Sequence, residues 1–242
     1  MRIPRVYSEQ PLEAGLELAL EPGPSQHLAR ALRLGPGDPV RVFDGQGQQF
    51  LGRISTVERK TVHLLLECAE DANPESPLRI HLGIGISRGE RFDWVVQKAT
   101  ELGVAEISPL LTERVEVRLQ GDREARKQRH WQQVAVSACE QCGRSTLPRL
   151  HEARPLAEWL PGVEEERRLV LHHRSDAGLG AAEQPRSVCL LVGPEGGLAE
   201  AEIDAALAAG FAALALGPRV LRTETAPVAA LAILQARWGD MG

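Results

Sequence analysis

Aromatic side chains make up only 4% of the 242 residues. So few stacking surfaces argue against an aromatic platform for single-stranded nucleic acid. Lysine is scarcer still: Lys60, Lys98 and Lys127 stand beside 25 arginines, a bias that a genome rich in G and C would impose. No apolar run reaches the about 20 residues a membrane helix needs, and MRIPRVYSEQP has no apolar stretch behind its charges, so a secretory leader is not expected. The sequence reads as soluble and cytoplasmic. Four cysteines are no disulfide framework in that setting. Cys139 and Cys142 form one CxxC without a second pair, and Cys68 and Cys189 stand alone in apolar runs. Packed thiols are expected, and no metal.

What is present is globular: 43% hydrophobic and 25% charged residues exclude a disordered or low-complexity chain. The length fits one large or two modest domains. A net charge of −5 argues against a histone-like binder, but clustering matters more than the sum. Residues 1–72 hold 8 basic and 10 acidic residues, 73–150 hold 12 and 10, and 151–242 hold 8 and 13. The acidic excess sits in the last third, and the middle is mildly basic.

Residues 1–70 read as short strands and turns, with RVFDGQGQQFLGRISTV and TVHLLLECA in pieces of strand length. His27, Leu28, Ala31 and Leu32 predict one helical piece, stopped by Gly35-Pro36-Gly37. Glu70–Pro77 is polar and holds two prolines, which predicts a linker. From there strands and helices alternate. Strands are predicted at 80–87, in AEISPLL, at 168–173, at 187–193 and in AALALG. Helices are predicted in RFDWVVQKATELG, over Glu124–Cys142, at 199–209 and in TAPVAALAILQARW. Such alternation implies an α/β domain on a mostly parallel sheet, with helices on both faces, after a small β-rich domain.

In open α/β sheets the ligand lies at the carboxyl ends of the strands, so two post-strand loops matter most. Gly193-Pro194-Glu195-Gly196-Gly197 precedes a helix, and its glycines allow close backbone approach. It matches neither the dinucleotide nor the triphosphate fingerprint, and a tight strand–helix corner would need the same residues. In Leu216-Gly217-Pro218-Arg219-Val220-Leu221-Arg222-Thr223-Glu224-Thr225, Thr225 is placed to cap the final helix. Capping does not account for Arg219 and Arg222 in so apolar a segment.

LLVGPEGGLAEAEI with LALGPRVLRTETAPVAALAILQ resembles the bacterial family that methylates N3 of a uridine in 16S ribosomal RNA. That family belongs to the SPOUT superfamily of S-adenosylmethionine-dependent methyltransferases. SRGERFDWVVQKATELGVAEISPLLTERVEV and ACEQCGRSTLPRL continue the resemblance upstream. RIPRVY, HLARALRLGPGD and FDGQG resemble its PUA-like RNA-binding barrel. One departure stands out: Leu198-Ala199 occupies the place where the family usually carries an aromatic followed by Ser or Thr, so the helix after GPEGG lacks a capping oxygen, a loss of roughly 0.5–2 kcal/mol.

The resemblance implies a PUA-like β-barrel over residues 1–72 and a SPOUT domain with a C-terminal trefoil knot over 73–242. It implies S-adenosylmethionine held by three loops: Leu171 and His172; Val192, Gly193, Pro194, Glu195, Gly196 and Gly197; and Leu216, Gly217, Leu221, Arg222 and Thr223. His172 is equally readable as a solvent-facing residue at a strand end. Arg222 and Arg144 are candidate stabilisers of the uracil anion and Glu195 a candidate base, although a carboxylate bonded to the turn's own amides is an equal reading. Arg2, Arg5, His27, Arg30, Arg33, Arg88 and Arg126 are candidates for contact with RNA. Arg126 lies in a basic first turn of a helix, where the dipole disfavours cations. The expected partners are 16S ribosomal RNA, in the assembled small subunit, and a second copy of the chain. Other SPOUT reactions, ribose 2′-O or guanosine N1 methylation, and a catalytically silent RNA-binding relative are the competing readings.

Overall fold

In strand after strand of the first part, every second side chain is buried, which is what one covered sheet face demands. The computed structural model describes all residues except 1–2, 118–120, 173, 176 and 181–182; Arg2, a candidate for RNA contact, lies outside the described residues. The chain divides into two compact units, residues 1–75 with 136–147, and residues 76–135 with 148–242. Residues 136–147, expected in the second domain, group with the first unit.

The first unit holds β1 (Arg5–Tyr7), β2 (Glu17–Ala19), α1 (Pro22–Gln26), β3 (Pro39–Phe43), β4 (Gln49–Val57) and β5 (Val62–Glu70). The sheet order is β1-β3-β4-β5-β2, with β1 parallel to β3 and the other pairs antiparallel. Val6, Leu18, Val40, Val42, Ile54, Leu64 and Leu66 form its core with Leu28. The predicted helical piece starts earlier than expected, at Pro22, and widens into a π-helical turn over His27–Ala31. Arg33 then takes a positive φ of 57°. Arg30 and Arg33 therefore share no regular helix face, and Leu32 is exposed rather than buried. Glu70 is no linker residue: it ends β5 and pairs with Arg41.

Two stretches far apart in sequence meet in this unit. In the Asp44–Gly47 turn, the Gly45 carbonyl accepts from Leu147 N–H at 2.9 Å, and Gly47 N–H donates to Ser145 O at 3.0 Å. Glu140 Oε1 accepts from Tyr7 N–H at 3.1 Å. Arg5 donates to Gln49 Oε1, to the Arg144 carbonyl and to Ser145 Oγ, and lies over the Phe43 ring. A guanidinium spent on so many protein acceptors holds a fold together, so Arg5, expected at the RNA surface, is a structural residue.

The second unit runs β6 (Arg79–Gly85), α2 (Arg91–Glu101), β7 (Glu106–Leu111), α3 (Asp122–Cys142), β8 (Arg149–Leu150), β9 (Arg154–Pro155) and α4 (Leu156–Trp159). β10 (Arg167–Leu171), β11 (Ser187–Val192), α5 (Glu200–Ala208), β12 (Ala212–Leu214) and α6 (Thr225–Trp238) complete it. The last residues of α3, from Val136, are those counted with the first unit. The sheet order is β12-β10-β11-β6-β7-β8, with β9 also on β7, and every pair is parallel. One face packs Ile80, Leu82, Ile84, Leu190 and Val192 against Phe92, Val96, Trp131, Leu231 and Leu234. The other packs Val170, Cys189 and Leu191 against Leu156, Trp159, Ala206 and Phe211. The expected α/β layering is what the chain adopts, and no helix among the described residues is long and apolar enough to cross a membrane.

Toward the amino ends of β6 and β7 this second face carries a buried polar network. His81 Nδ1 lies 2.7 Å from Glu165 Oε1 and its Nε2 2.9 Å from Ser108 Oγ. His151 Nε2 lies 2.6 Å from Glu106 Oε2. Burial alone would raise both carboxyls, but hydrogen bonds from His151 and Arg79 hold Glu106, and one from His81 holds Glu165, below the usual carboxylate range. Burial holds the His151 imidazole below its usual value.

Two outcomes follow. All three shifts are downward, so they stabilise the fold above the unfolded values of 6.5 for His151 and 4.5 for the glutamates, and that stability is lost as pH falls through the lower folded values. Thermal melts should show a Tm that falls as pH drops below 6.5 and falls further below pH 4.5, and the part of the fall below pH 4.5 should be shallower for Glu106→Gln; equal slopes below pH 4.5 would contradict the assignment. Among the thiols Cys68 is exposed and Cys139 and Cys189 are buried, and burial pushes Cys139 up to about 12. A thiol reagent at pH 8 should modify Cys68 in the native protein and reach Cys139 and Cys189 only after denaturation.

Candidate active site

The strand order reverses between β6 and β11: from β6 the chain crosses to β7 on one side, and from β11 it crosses over β10 to β12 on the other. Such a switch point opens a crevice beyond the strand ends, and here the local sequence shapes it. β11 pairs with β6 up to Val192 and Ile84, and the chain then turns over the end of β6. A Cβ on Gly85 would lie 2.6 Å from both Pro194 N and Pro194 Cδ, and one on Gly193 would lie 2.7 Å from Leu198 N and 2.8 Å from Gly197 C. Both positions must be glycine for the backbone to pack this closely. Gly197 N–H closes the turn on the Pro194 carbonyl at 2.8 Å, with φ at 69°, a conformation that favours glycine.

The helix that follows does lack a capping side chain at Ala199, as the sequence implied. Glu202 takes over part of the work. Its Oε2 accepts from Ala199 N–H at 2.8 Å, and its Oε1 accepts from Glu113 N–H at 2.8 Å. One carboxylate thus ties the start of α5 to the turn after β7. That turn carries Arg114, whose Nη1 donates to the Gly196 carbonyl at 2.8 Å.

The loop from β12 to α6 starts its helix differently from the expectation. Thr225 makes no side-chain cap; the Arg222 carbonyl accepts from the N–H groups of Thr225 and Ala226, both at 2.9 Å. On the neighbouring strand, His172 N–H donates to Leu214 O at 3.0 Å, which holds the end of β10 beside the end of β12.

These three loops line one cavity of about 520 Å³. Leu171 and His172, Val192 through Gly197, and Leu216, Gly217, Leu221 and Thr223 all face it. Arg222 does not: its side chain is exposed and only its carbonyl has a local task. The sequence did not point to Arg114, Arg174, Leu198, Glu200, Ile203, Asp204, Leu214, Val220 or Ala226, which complete the lining with Arg219, a residue the sequence flagged only as a charge in an apolar loop. Arg114 lay within the quoted TERVEV stretch, but nothing in that stretch alone indicates that its guanidinium returns to the GPEGG turn.

Glu195 stands at the rim. Its Oε1 accepts from Arg88 N–H at 2.9 Å and from Arg91 Nη1 at 3.0 Å. Burial would raise its carboxyl, yet the amides of Arg88 and Glu195 and the Arg91 guanidinium keep it below the usual range. A carboxylate held as an anion is a poor proton acceptor, so these contacts oppose the expected role as base and make Glu195 an anchor for the loop. The Arg88 guanidinium pairs with Glu116.

The remaining candidates are not among the residues that line this cavity. Arg144 belongs to the first unit, where Glu75 engages its Nε and Nη2, so the guanidinium named as an anion stabiliser is already paired. His27, Arg30 and Arg33 are exposed around the π-helical turn, and Arg126 is exposed near the start of α3.

Residues 74–235 match the RNA methyltransferase domain family, and residues 25–67 match the RNA methyltransferase PUA domain family. The ribosomal RNA small subunit methyltransferase E of Buchnera aphidicola (from Schizaphis graminum) is 32% identical, over 99% of this chain and 98% of its own. The protein of the same name from Neisseria gonorrhoeae, solved with S-adenosyl methionine, is 37% identical and superimposes with a TM-score of 0.95 over 100% of both chains. A Legionella pneumophila protein described as a methyltransferase, solved with SAM bound, is 40% identical with a TM-score of 0.96, over 99% of this chain and 100% of its own. The chain belongs to the RNA methyltransferase family that includes the ribosomal RNA small subunit methyltransferase E proteins.

Proposed function

We propose that this chain is an S-adenosylmethionine-dependent methyltransferase acting on N3 of one uridine in 16S ribosomal RNA, in the assembled small subunit. The observation that carries the reading is the convergence of three post-strand loops on one cavity of about 520 Å³, a size that suits a small-molecule cofactor. The donor set fits this cofactor. Leu171, Val192, Leu216 and Leu221 offer an apolar slot for adenine, and the backbone between Val192 and Gly197 offers directional polar groups. Glu195, Glu200 and Asp204 suit a sulfonium and an ammonium, and Arg174 and Arg219 suit a carboxylate. When bound, the cofactor supplies an electrophilic methyl group: the N–C bond forms at N3, the S–C bond breaks with its electron pair left on sulfur, and the N3 proton leaves to solvent.

The chain's part is to hold both reactants in line and exclude water, which supplies much of the acceleration for a displacement. The Gly193 and Gly85 packing fixes the cofactor loop, and Glu195 keeps that loop against residues 88–91. The same reading threads the C-terminal segment of the second unit through a preceding loop as a trefoil knot, closes the first-unit sheet into a PUA-like barrel, and assigns RNA contact to the exposed His27, Arg30, Arg33 and Arg126. It also makes the working enzyme a cytoplasmic homodimer. Val220, 76% exposed at the cavity rim, and Ile233, 43% exposed on α6, supply apolar surface for a second copy to cover.

Isothermal titration with S-adenosylmethionine should show one site per chain. Gly193→Ala should weaken binding by about tenfold or more, because the added Cβ meets main-chain atoms that cannot move aside. The protein with tritiated cofactor should label isolated small subunits. A wild-type chain that binds no cofactor contradicts the proposal.

A further inference from the structure

A second cavity, of about 410 Å³, adjoins the first and is lined by Arg88, Arg91, Glu113, Arg114, Glu116 and Glu195, with Val115 and Gly196. Arg114, Glu195 and Gly196 line both cavities, so these residues form the wall across which a group in one would meet a group in the other. The charges in this wall are unequally committed. Arg91 is paired with Glu195 and Arg88 with Glu116. Arg114 has no carboxylate partner among the described residues; its one hydrogen bond there goes to a main-chain carbonyl, that of Gly196. A guanidinium has five N–H donors, so Arg114 keeps most of its donors for a ligand while the bond to Gly196 fixes its position.

We propose that the second cavity receives the acceptor uridine and that Arg114 is a catalytic residue, donating hydrogen bonds to the uracil carbonyl oxygens where negative charge gathers as N3 gives up its proton. This rests on the reading that the first cavity holds the methyl donor. The chemistry asks for such a group: N3–H is a weak acid, and the charge left on N3 spreads to O2 and O4, next to an incoming methyl group. A donor set in place beforehand is worth most there, because it need not reorganise during the reaction. The alternatives named by sequence do not fill this place, since Arg222 lies outside the first cavity's lining and Arg144 is engaged by Glu75 in the first unit. Two features hold Arg114 where it is. Glu202 clamps the adjacent Glu113 amide to α5, and Gly196 makes room, since a Cβ there would lie 3.1 Å from Arg114 Cβ.

The test compares wild type with Arg114→Ala and Arg114→Lys in methyl transfer to isolated small subunits, with cofactor affinity measured separately by titration. Because Arg114 also lines the first cavity, Arg114→Ala should lose affinity for S-adenosylmethionine, but by less than tenfold, and should bind an RNA fragment by fluorescence anisotropy within about threefold of wild type. Its kcat should fall about 100-fold or more, the range for removing one preorganised donor to a developing anion. Its pH–rate profile should move to higher pH, because more hydroxide is needed to remove the N3 proton unaided. Arg114→Lys should recover part of kcat, and added guanidinium should rescue Arg114→Ala. A kcat for Arg114→Ala within threefold of wild type, or a cofactor affinity weakened in step with kcat, would overturn the assignment. A wild-type protein that does not bind the cofactor would instead overturn the reading beneath it.

Discussion

Pro194 resting on the bare backbone of Gly85 is the contact on which the candidate site depends. β6 and β11 are central strands of a parallel sheet, and their register brings their ends level. For the chain to leave β11 and cross the end of β6, one of the two must carry no side chain at the crossing. Gly85 provides that, and Gly193 does the same for the turn's return toward Leu198. Close packing leaves no slack here, so a methyl group at either position would push the loop outward rather than be absorbed. The loop's orientation then decides what else can gather at its rim: Arg114 on Gly196, and Glu195 on the Arg88 amide.

Charge in this region works through fixed positions more than through its sum. The acidic excess of the last third includes Glu195, Glu200 and Glu202, and two of these are used to secure main-chain amides. Glu202 compensates in part for the oxygen missing at Ala199 and ties α5 to the turn after β7. The formal charge of −5 is therefore no measure of the surface that would meet RNA. Arg30, Arg33 and Arg126 leave their charges in solvent, whereas Arg5 and Arg144 satisfy partners within the first unit.

Much of this was legible in the sequence because it is written in local periodicity. The strands of the second unit are short apolar runs, and its helices carry buried stripes such as Phe92, Val95, Val96 and Ala99, so the α/β alternation could be read directly. The two post-strand loops announced themselves by glycines that neighbouring backbone needs. What escaped depends on contacts between distant segments. Nothing near Arg114 points to Gly196, and nothing near Glu140 or Ser145 points to Tyr7 and the Asp44–Gly47 turn, so residues 136–147 could not be assigned to the first unit from spacing. The π-helical turn also escaped, because its first residues follow an ordinary helical pattern before Leu32 leaves the core. Arg222, named through the resemblance, is not among the residues lining the cavity, because a resemblance along a loop does not say which side chains face inward.

The central claim is that this cavity carries a methyl group to N3 of a single uridine in small-subunit ribosomal RNA. Nucleoside mass spectrometry of 16S ribosomal RNA, from cells with and without the gene, tests it most directly. The account predicts that one 3-methyluridine disappears on deletion and returns when the wild-type gene is restored. An unchanged level of 3-methyluridine, or the loss of a different methylated nucleoside, would contradict it.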